Sequence, residues 1–211
     1  MLHEDKAIGD IAFVSVDFGL NMPVSKADSA KRTASRALGA GALLDIGIYT
    51  LTWASMALDT HPERQTASPP RLSASMFLAS DTKPDQRFDE QTTLVLQYPD
   101  IRAVALCHSS LRYKSGEEFA RIEGSNGSIS VGGVAASKPS YLVIRVSGQE
   151  PERLEFDVPG WGFHYEADAV AADIRAGKKE NDVCSLDTTL TIMSRMDDAR
   201  AQGGVTYPQE E

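Results

Sequence analysis

Between Arg71 and Val158 the chain passes through one short β-type segment after another, with turn residues between them and no helical pattern. The segments are Arg71 to Ser80, Gln91 to Tyr98, Arg102 to Arg112, Glu118 to Glu123, Ser128 to Val131, Tyr141 to Val146 and Arg153 to Val158. Pro99-Asp100, Lys114 to Gly116, Gly124 to Gly127 and Gly148-Gln149 supply the turn chemistry between them. Strands this close in sequence pair with their neighbours as an antiparallel meander, because a parallel return needs a crossover of a dozen residues or more. No βαβ unit can be traced anywhere in the chain, so it cannot build a doubly wound nucleotide-binding half by itself.

Helices are confined to the flanks. Ile11 to Leu20 alternates like a half-buried strand, and Asn21 to Arg36 is a polar loop carrying Pro23. Gly41 to Leu58 is apolar almost all round and long enough for a buried helix of about five turns. His61 to Pro70 is a connector broken by three prolines. Phe163 to Ala176 spaces Tyr165, Ala169, Ala172 and Ile174 helically and closes on Gly177. Ser185 caps a last helix with Leu186, Leu190, Met193 and Met196 on one stripe. The expectation is a single α+β domain over residues 1–211: an open, mainly antiparallel sheet of about seven strands with helices on one face. Three helices cannot cover both faces, so the other face should keep an apolar patch and pair with a second copy as a homodimer.

The net charge of −9 disfavours nucleic-acid binding. The main basic cluster, Lys26, Lys31, Arg32 and Arg36, is too small for a polynucleotide groove. Neither a basic-then-apolar leader nor a run of about 18 apolar residues is present, so no membrane is expected and a cytoplasmic setting fits. Two cysteines make no disulfide framework, and Cys107 reads as a small buried hydrophobe. Asn126-Gly127 reads as a turn.

Candidate chemistry concentrates in one place. The four histidines are scattered and no cysteine pairs have zinc spacing, so no metal site is expected. Gly39-Ala40-Gly41 lacks the third glycine and the preceding strand of a dinucleotide fingerprint, and reads as a sharp entry into a helix. Asp45 lies inside that apolar helix, where an unpaired carboxylate is costly. Tyr49, four residues on, projects from the same face. Either Tyr49 satisfies Asp45, or Asp45 caps a neighbouring backbone, or the two face a cleft as an acid/base pair that orients a substrate hydroxyl and moves its proton. Trp161-Gly162-Phe163-His164-Tyr165 is either a satellite core cluster, the favoured reading, or the apolar wall of a pocket.

The run from Gly39 to Tyr49, GAGALLDIGIY, resembles the GGGxLLDxGxY/H signature that opens the C-terminal domain of the Gfo/Idh/MocA oxidoreductases. Its tyrosine resembles the branch of dimeric dihydrodiol dehydrogenases and NADP-dependent D-xylose 1-dehydrogenases. Tyr165 to Val170, Leu186-Asp187, Thr191 to Met193, Tyr207-Pro208 and Ile8 to Ile11 agree, so the likeness spans the whole chain. The resemblance implies a glyceraldehyde-3-phosphate dehydrogenase-like C-terminal domain that binds substrate and dimerises. It carries the general acid/base role to Tyr49, substrate orientation to Asp45, and further substrate contacts to Trp161 and Arg32. It also implies that NADP is held mainly by a Rossmann domain that this sequence lacks. Lys83-Pro84 and Lys138-Pro139 are not assigned that domain's catalytic lysine. The chain is therefore expected to be inactive alone and to bind no cofactor tightly, as the substrate half of a sugar or diol dehydrogenase. The alternative is a non-catalytic dimerisation or ligand-binding module.

Overall fold

The computed structural model describes residues 2–24, 32–64, 68–79 and 87–210. Lys26, Lys31 and Lys83-Pro84 lie outside these residues. The strands are β1 (Ile11–Gly19), β2 (Arg71–Leu78), β3 (Asp89–Tyr98), β4 (Ala103–Ser110), β5 (Glu118–Gly124), β6 (Gly127–Ala135), β7 (Lys138–Val146) and β8 (Glu152–Glu155). The helices are α1 (Ile48–Leu58), α2 (Phe163–Arg175) and α3 (Leu186–Gly203).

Eight strands, one more than the seven or so expected, form one sheet in the order β2-β3-β4-β1-β5-β6-β7-β8. The meander is real but interrupted. Strand β1 inserts between β4 and β5, parallel to the first, with Phe13 opposite Val104, and antiparallel to the second, with Val14 opposite Ile122. The long connection from β1 through α1 makes that single parallel pairing sterically feasible. The β5–β6 hairpin turns on Ser125-Asn126, within the expected turn from Gly124 to Gly127 but one residue before the Asn-Gly pair, whose glycine opens β6.

One face of the sheet carries the core. Val14, Val16, Leu94, Leu96, Ala105, Cys107, Ile129 and Val131 alternate onto the side where α1 and α3 pack. Leu51, Ala54 and Leu58 of α1 and Ile192, Met196 and Ala199 of α3 are buried; each large side chain buried this way is worth about 1.5–3 kcal/mol. Arg195 of α3 fastens the two helices by two hydrogen bonds to Asp59 at the end of α1, 2.6 and 3.0 Å. By length and composition the stretch Arg36–Leu58 could cross a bilayer, contrary to the sequence reading, but half of that apolar window is buried inside the domain.

Two other expectations fail. The buried stripe of α3 is Ile192, Arg195, Met196 and Ala199, whereas Leu186, Leu190 and Met193 are exposed. Packing of α3 against β2 buries the neighbouring stripe instead. Helix α2 has no buried residue at all, and Trp161, Phe163 and Tyr165 are each more than half exposed. The 161–165 segment is therefore not a satellite core cluster. The open face of the sheet mixes apolar and polar residues, with Phe77 of β2 exposed on it. Phe13, Val95, Val104 and Leu106 form a small half-buried patch there, through the pairs Phe13–Val104 and Val95–Leu106. Around them lie Ser15, Asp17, Thr93, His108, Arg121, Glu123 and Ser130.

Candidate active site

The helix that carries Asp45 is not one continuous α-helix. Leu43–Gly47 is a π-helical turn that runs directly into α1. Such turns open the backbone by one residue and recur at functional sites. Two glycines allow this one. Gly41 has φ +136°, and any Cβ there would collide with the Asp89 carboxylate. Gly47 sits where a Cβ would press on Leu43 Cδ1 at 3.0 Å and Ser109 Oγ at 3.1 Å, so the turn can lie close against β4. The reading of Gly39-Ala40-Gly41 as a sharp entry into a helix holds, since Gly39 and Gly41 both take positive φ, +75° and +136°.

Asp45 lies within the π turn with only 12% of its side chain exposed, and Arg32 makes an ion pair and hydrogen bond with its Oδ1. Arg32 keeps 64% of its own side chain in solvent, so this cation neutralises Asp45 from the outside. Tyr49 is one turn on, 38% exposed, and its ring meets Phe18 of β1 edge-on at 5.4 Å between centroids. No hydrogen bond joins Tyr49 to Asp45. The reading in which the tyrosine merely satisfies the carboxylate is removed: Arg32 does that, and the phenol is left open. One turn further, Trp53 donates its Nε1 hydrogen to Ala136 O at 2.9 Å and lines a cleft of about 680 Å³. Pro139, Tyr141, Phe156, Val158 and Tyr165 complete that apolar wall.

Trp161 is not brought to this group. It stands 58% exposed with Lys138 Nζ 5.2 Å above its ring, while that ammonium donates to Gly160 O. Of the 161–165 segment, Tyr165 and not Trp161 lines the apolar cleft. Trp53, which sequence reasoning passed over, carried a signal: it lies at i+4 from Tyr49 on the same helix.

Several other ionisable groups are engaged elsewhere. Asp59, the nearest acid for a nucleotide ribose, is committed to Arg195. His3 and His61, far apart in sequence, meet edge-on at 5.1 Å, with His3 near Thr60 Oγ1 and His61 accepting the Glu63 N–H. Burial pushes the Cys107 thiol up to about 12, and it faces Thr50 O.

The Gly39–Gly41 turn does not form a dinucleotide fingerprint. Among the described residues the sheet has one parallel pair, and no strand leads into the Gly39–Gly41 turn. The Asp89 carboxylate, packed directly under Gly41, would repel a diphosphate there. What the site offers instead is a carboxylate, a guanidinium and a phenol around one helix opening, on an α+β domain with an open mixed sheet.

That fold and that opening belong to a recognised class: residues 1–130 match the GFO/IDH/MocA C-terminal domain, and the chain belongs to that family. It is 33% identical over 217 residues to the trans-1,2-dihydrobenzene-1,2-diol dehydrogenase of Xenopus tropicalis, covering 98% of this chain and 58% of that one. It is 28% identical over 221 residues to the D-xylose 1-dehydrogenase (NADP(+)) of Hypocrea jecorina, covering 96% of this chain and 55% of that one. In fold it is similar to the aldose-aldose oxidoreductase of Caulobacter crescentus complexed with glycerol. That match has a TM-score of 0.71 at 21% identity and covers 95% of this chain and 55% of that one. The chain thus spans little more than half the length of the curated relatives it matches.

Proposed function

We propose that this chain is the substrate-binding half of an NADP-dependent oxidoreductase that oxidises a CH–OH group of an aldose such as D-xylose, or of a vicinal diol. The observation that carries this reading is the pairing of a neutralised, half-buried Asp45 with an unengaged Tyr49 one turn away. The kinship over nearly the whole chain with a D-xylose and a dihydrodiol dehydrogenase supports the choice of substrate class.

In this reading Asp45 accepts a hydrogen bond from a substrate hydroxyl, and Arg32 fixes the carboxylate's orientation. Tyr49 takes the proton of the reacting hydroxyl during oxidation and returns it to the carbonyl oxygen during reduction. Trp53 and the cleft beyond it offer an apolar surface to the body of the substrate. The hydride acceptor, NADP in the named relative, would be held by a partner domain. The exposed aromatic residues of α2 and the exposed Leu186, Leu190 and Met193 stripe of α3 are apolar surface suited to such a domain.

Titrating aldoses and diols into the chain by calorimetry or ligand-observed NMR tests the site directly. Binding that Asp45→Asn weakens at least tenfold, with the fold intact, supports the proposal. Equal binding to parent and variant, or none by any aldose or diol tested, overturns it.

We also propose a homodimer through the open sheet face. The small patch of Phe13, Val95, Val104 and Leu106 would be its dry centre and the surrounding charged residues its rim.

A further inference from the structure

Two distant parts of the chain converge on the first turn of the helix that presents Asp45 and Tyr49. Asp89, at the start of β3, is 1% exposed. Its Oδ2 accepts the Leu43 N–H at 2.7 Å and the Thr92 hydroxyl at 2.7 Å. Tyr207, from the C-terminal segment, is 5% exposed and donates its hydroxyl to Ala40 O at 2.7 Å. Gly41 lies between these two anchors, with no room for a Cβ against Asp89.

The first turn of any helix leaves backbone N–H groups without partners. Thr, Ser, Asn or Asp immediately before the helix commonly supplies the acceptor. Here Ala42 holds that position and supplies none. The acceptor comes instead from a strand 46 residues away. A buried carboxylate is an expensive choice for this task, because desolvation penalises its charge, and its Oδ1 has no hydrogen-bond partner. A neutral side chain would cap the helix more cheaply. What a carboxylate adds is a stronger, charge-assisted hold on the backbone two residues before Asp45.

We propose that Asp89 is a positioning residue for the Asp45–Tyr49 pair, fixing the π turn from beneath through Leu43, with Tyr207 as its second anchor. This rests on the site reading above for its functional meaning, but its structural content can be tested without any ligand. The test is amide hydrogen exchange across Leu43–Tyr49 in the full chain, for the parent, Asp89→Ala and Asp89→Asn.

Asp89→Ala removes the acceptor, so exchange in that segment should accelerate about tenfold while β1 and β4 amides stay near their parent rates. Asp89→Asn keeps a carbonyl oxygen for Leu43 and should restore protection to within about threefold. Unchanged exchange in the segment with Asp89→Ala would overturn the proposal. So would equal acceleration in every element, or in both variants, since each marks general support rather than a local hold. Should Asp89→Ala not fold, Tyr207→Phe carries the same comparison at the second anchor: local acceleration supports the proposal and its absence removes it. Failure of Asp45→Asn to weaken aldose binding would count against the proposed function and leave this result standing.

Discussion

Tyr49 stands one turn beyond Asp45 yet turns its ring to Phe18, 5.4 Å away and nearly perpendicular, while Asp45 is taken by Arg32. The phenol is thus held by its ring and free at its oxygen, which is the condition a proton-transferring tyrosine needs. Tyr49→Phe preserves the ring contact and deletes only the hydroxyl. In the chain joined to a cofactor domain, turnover should fall on the order of 10²–10⁴-fold. The melting temperature should hardly move. A rate within a few-fold of the parent would show that the hydroxyl carries no proton.

The Asp59–Arg195 pair yields a stability prediction. Both side chains are mostly buried, at 22% and 10% exposure, and their bonds tie α1 to α3. Arg195→Met leaves Asp59 with an uncompensated charge, so unfolding by denaturant should cost about 3 kcal/mol less than in the parent. The double replacement Asp59→Leu with Arg195→Met should recover much of the loss, because it removes the stranded charge.

Asp89 gives the chain a pH signature. Burial raises its carboxyl from 3.8 to about 6, against the opposing hydrogen bonds from Thr92 and Leu43. The folded state therefore holds this proton more tightly than the unfolded chain does. Its contribution is most favourable below the unfolded value near 3.8 and is lost as pH rises through about 6. The full difference is on the order of 3 kcal/mol. Asp89→Asn should flatten this part of the stability profile between pH 4 and pH 6. Parallel denaturation curves for parent and variant across that interval would contradict it.

Much of this was legible in the sequence, and the limits have physical causes. Strand segments, turns and helices could be placed because alternation, Gly and Pro punctuation and the Ser185 cap are local signals. The Ser185 hydroxyl does accept the Thr188 N–H. The insertion of β1 between β4 and β5 was not legible, since register between distant strands leaves no local pattern. Asp45 was conspicuous as an acid in an apolar run, but its partner Arg32 lay in a segment without periodicity. Asp89 escaped because the strand was read from Gln91, which left the carboxylate in a connector. The α3 stripe misled for a different reason: two apolar faces compete there, and only packing against β2 decides between them.

The open sheet face predicts how copies associate. Its apolar centre is small and its surroundings carry Asp17, Arg121 and Glu123, with Arg121 and Glu123 already paired within the chain. A dimer held this way should be visible by light scattering at micromolar concentration as about twice the chain mass of 22.8 kDa. Leu106→Arg, at the middle of the patch, should return it to one chain mass. A parent mass of a single chain would remove the dimer.

The most direct measurement is NADPH formation from D-xylose by the chain alone, and by the chain joined to the cofactor-binding half of the Hypocrea jecorina enzyme. The account predicts no turnover alone and measurable turnover when joined, lost in both Asp45→Asn and Tyr49→Phe. Turnover by the isolated chain, or joined turnover indifferent to both substitutions, would contradict it.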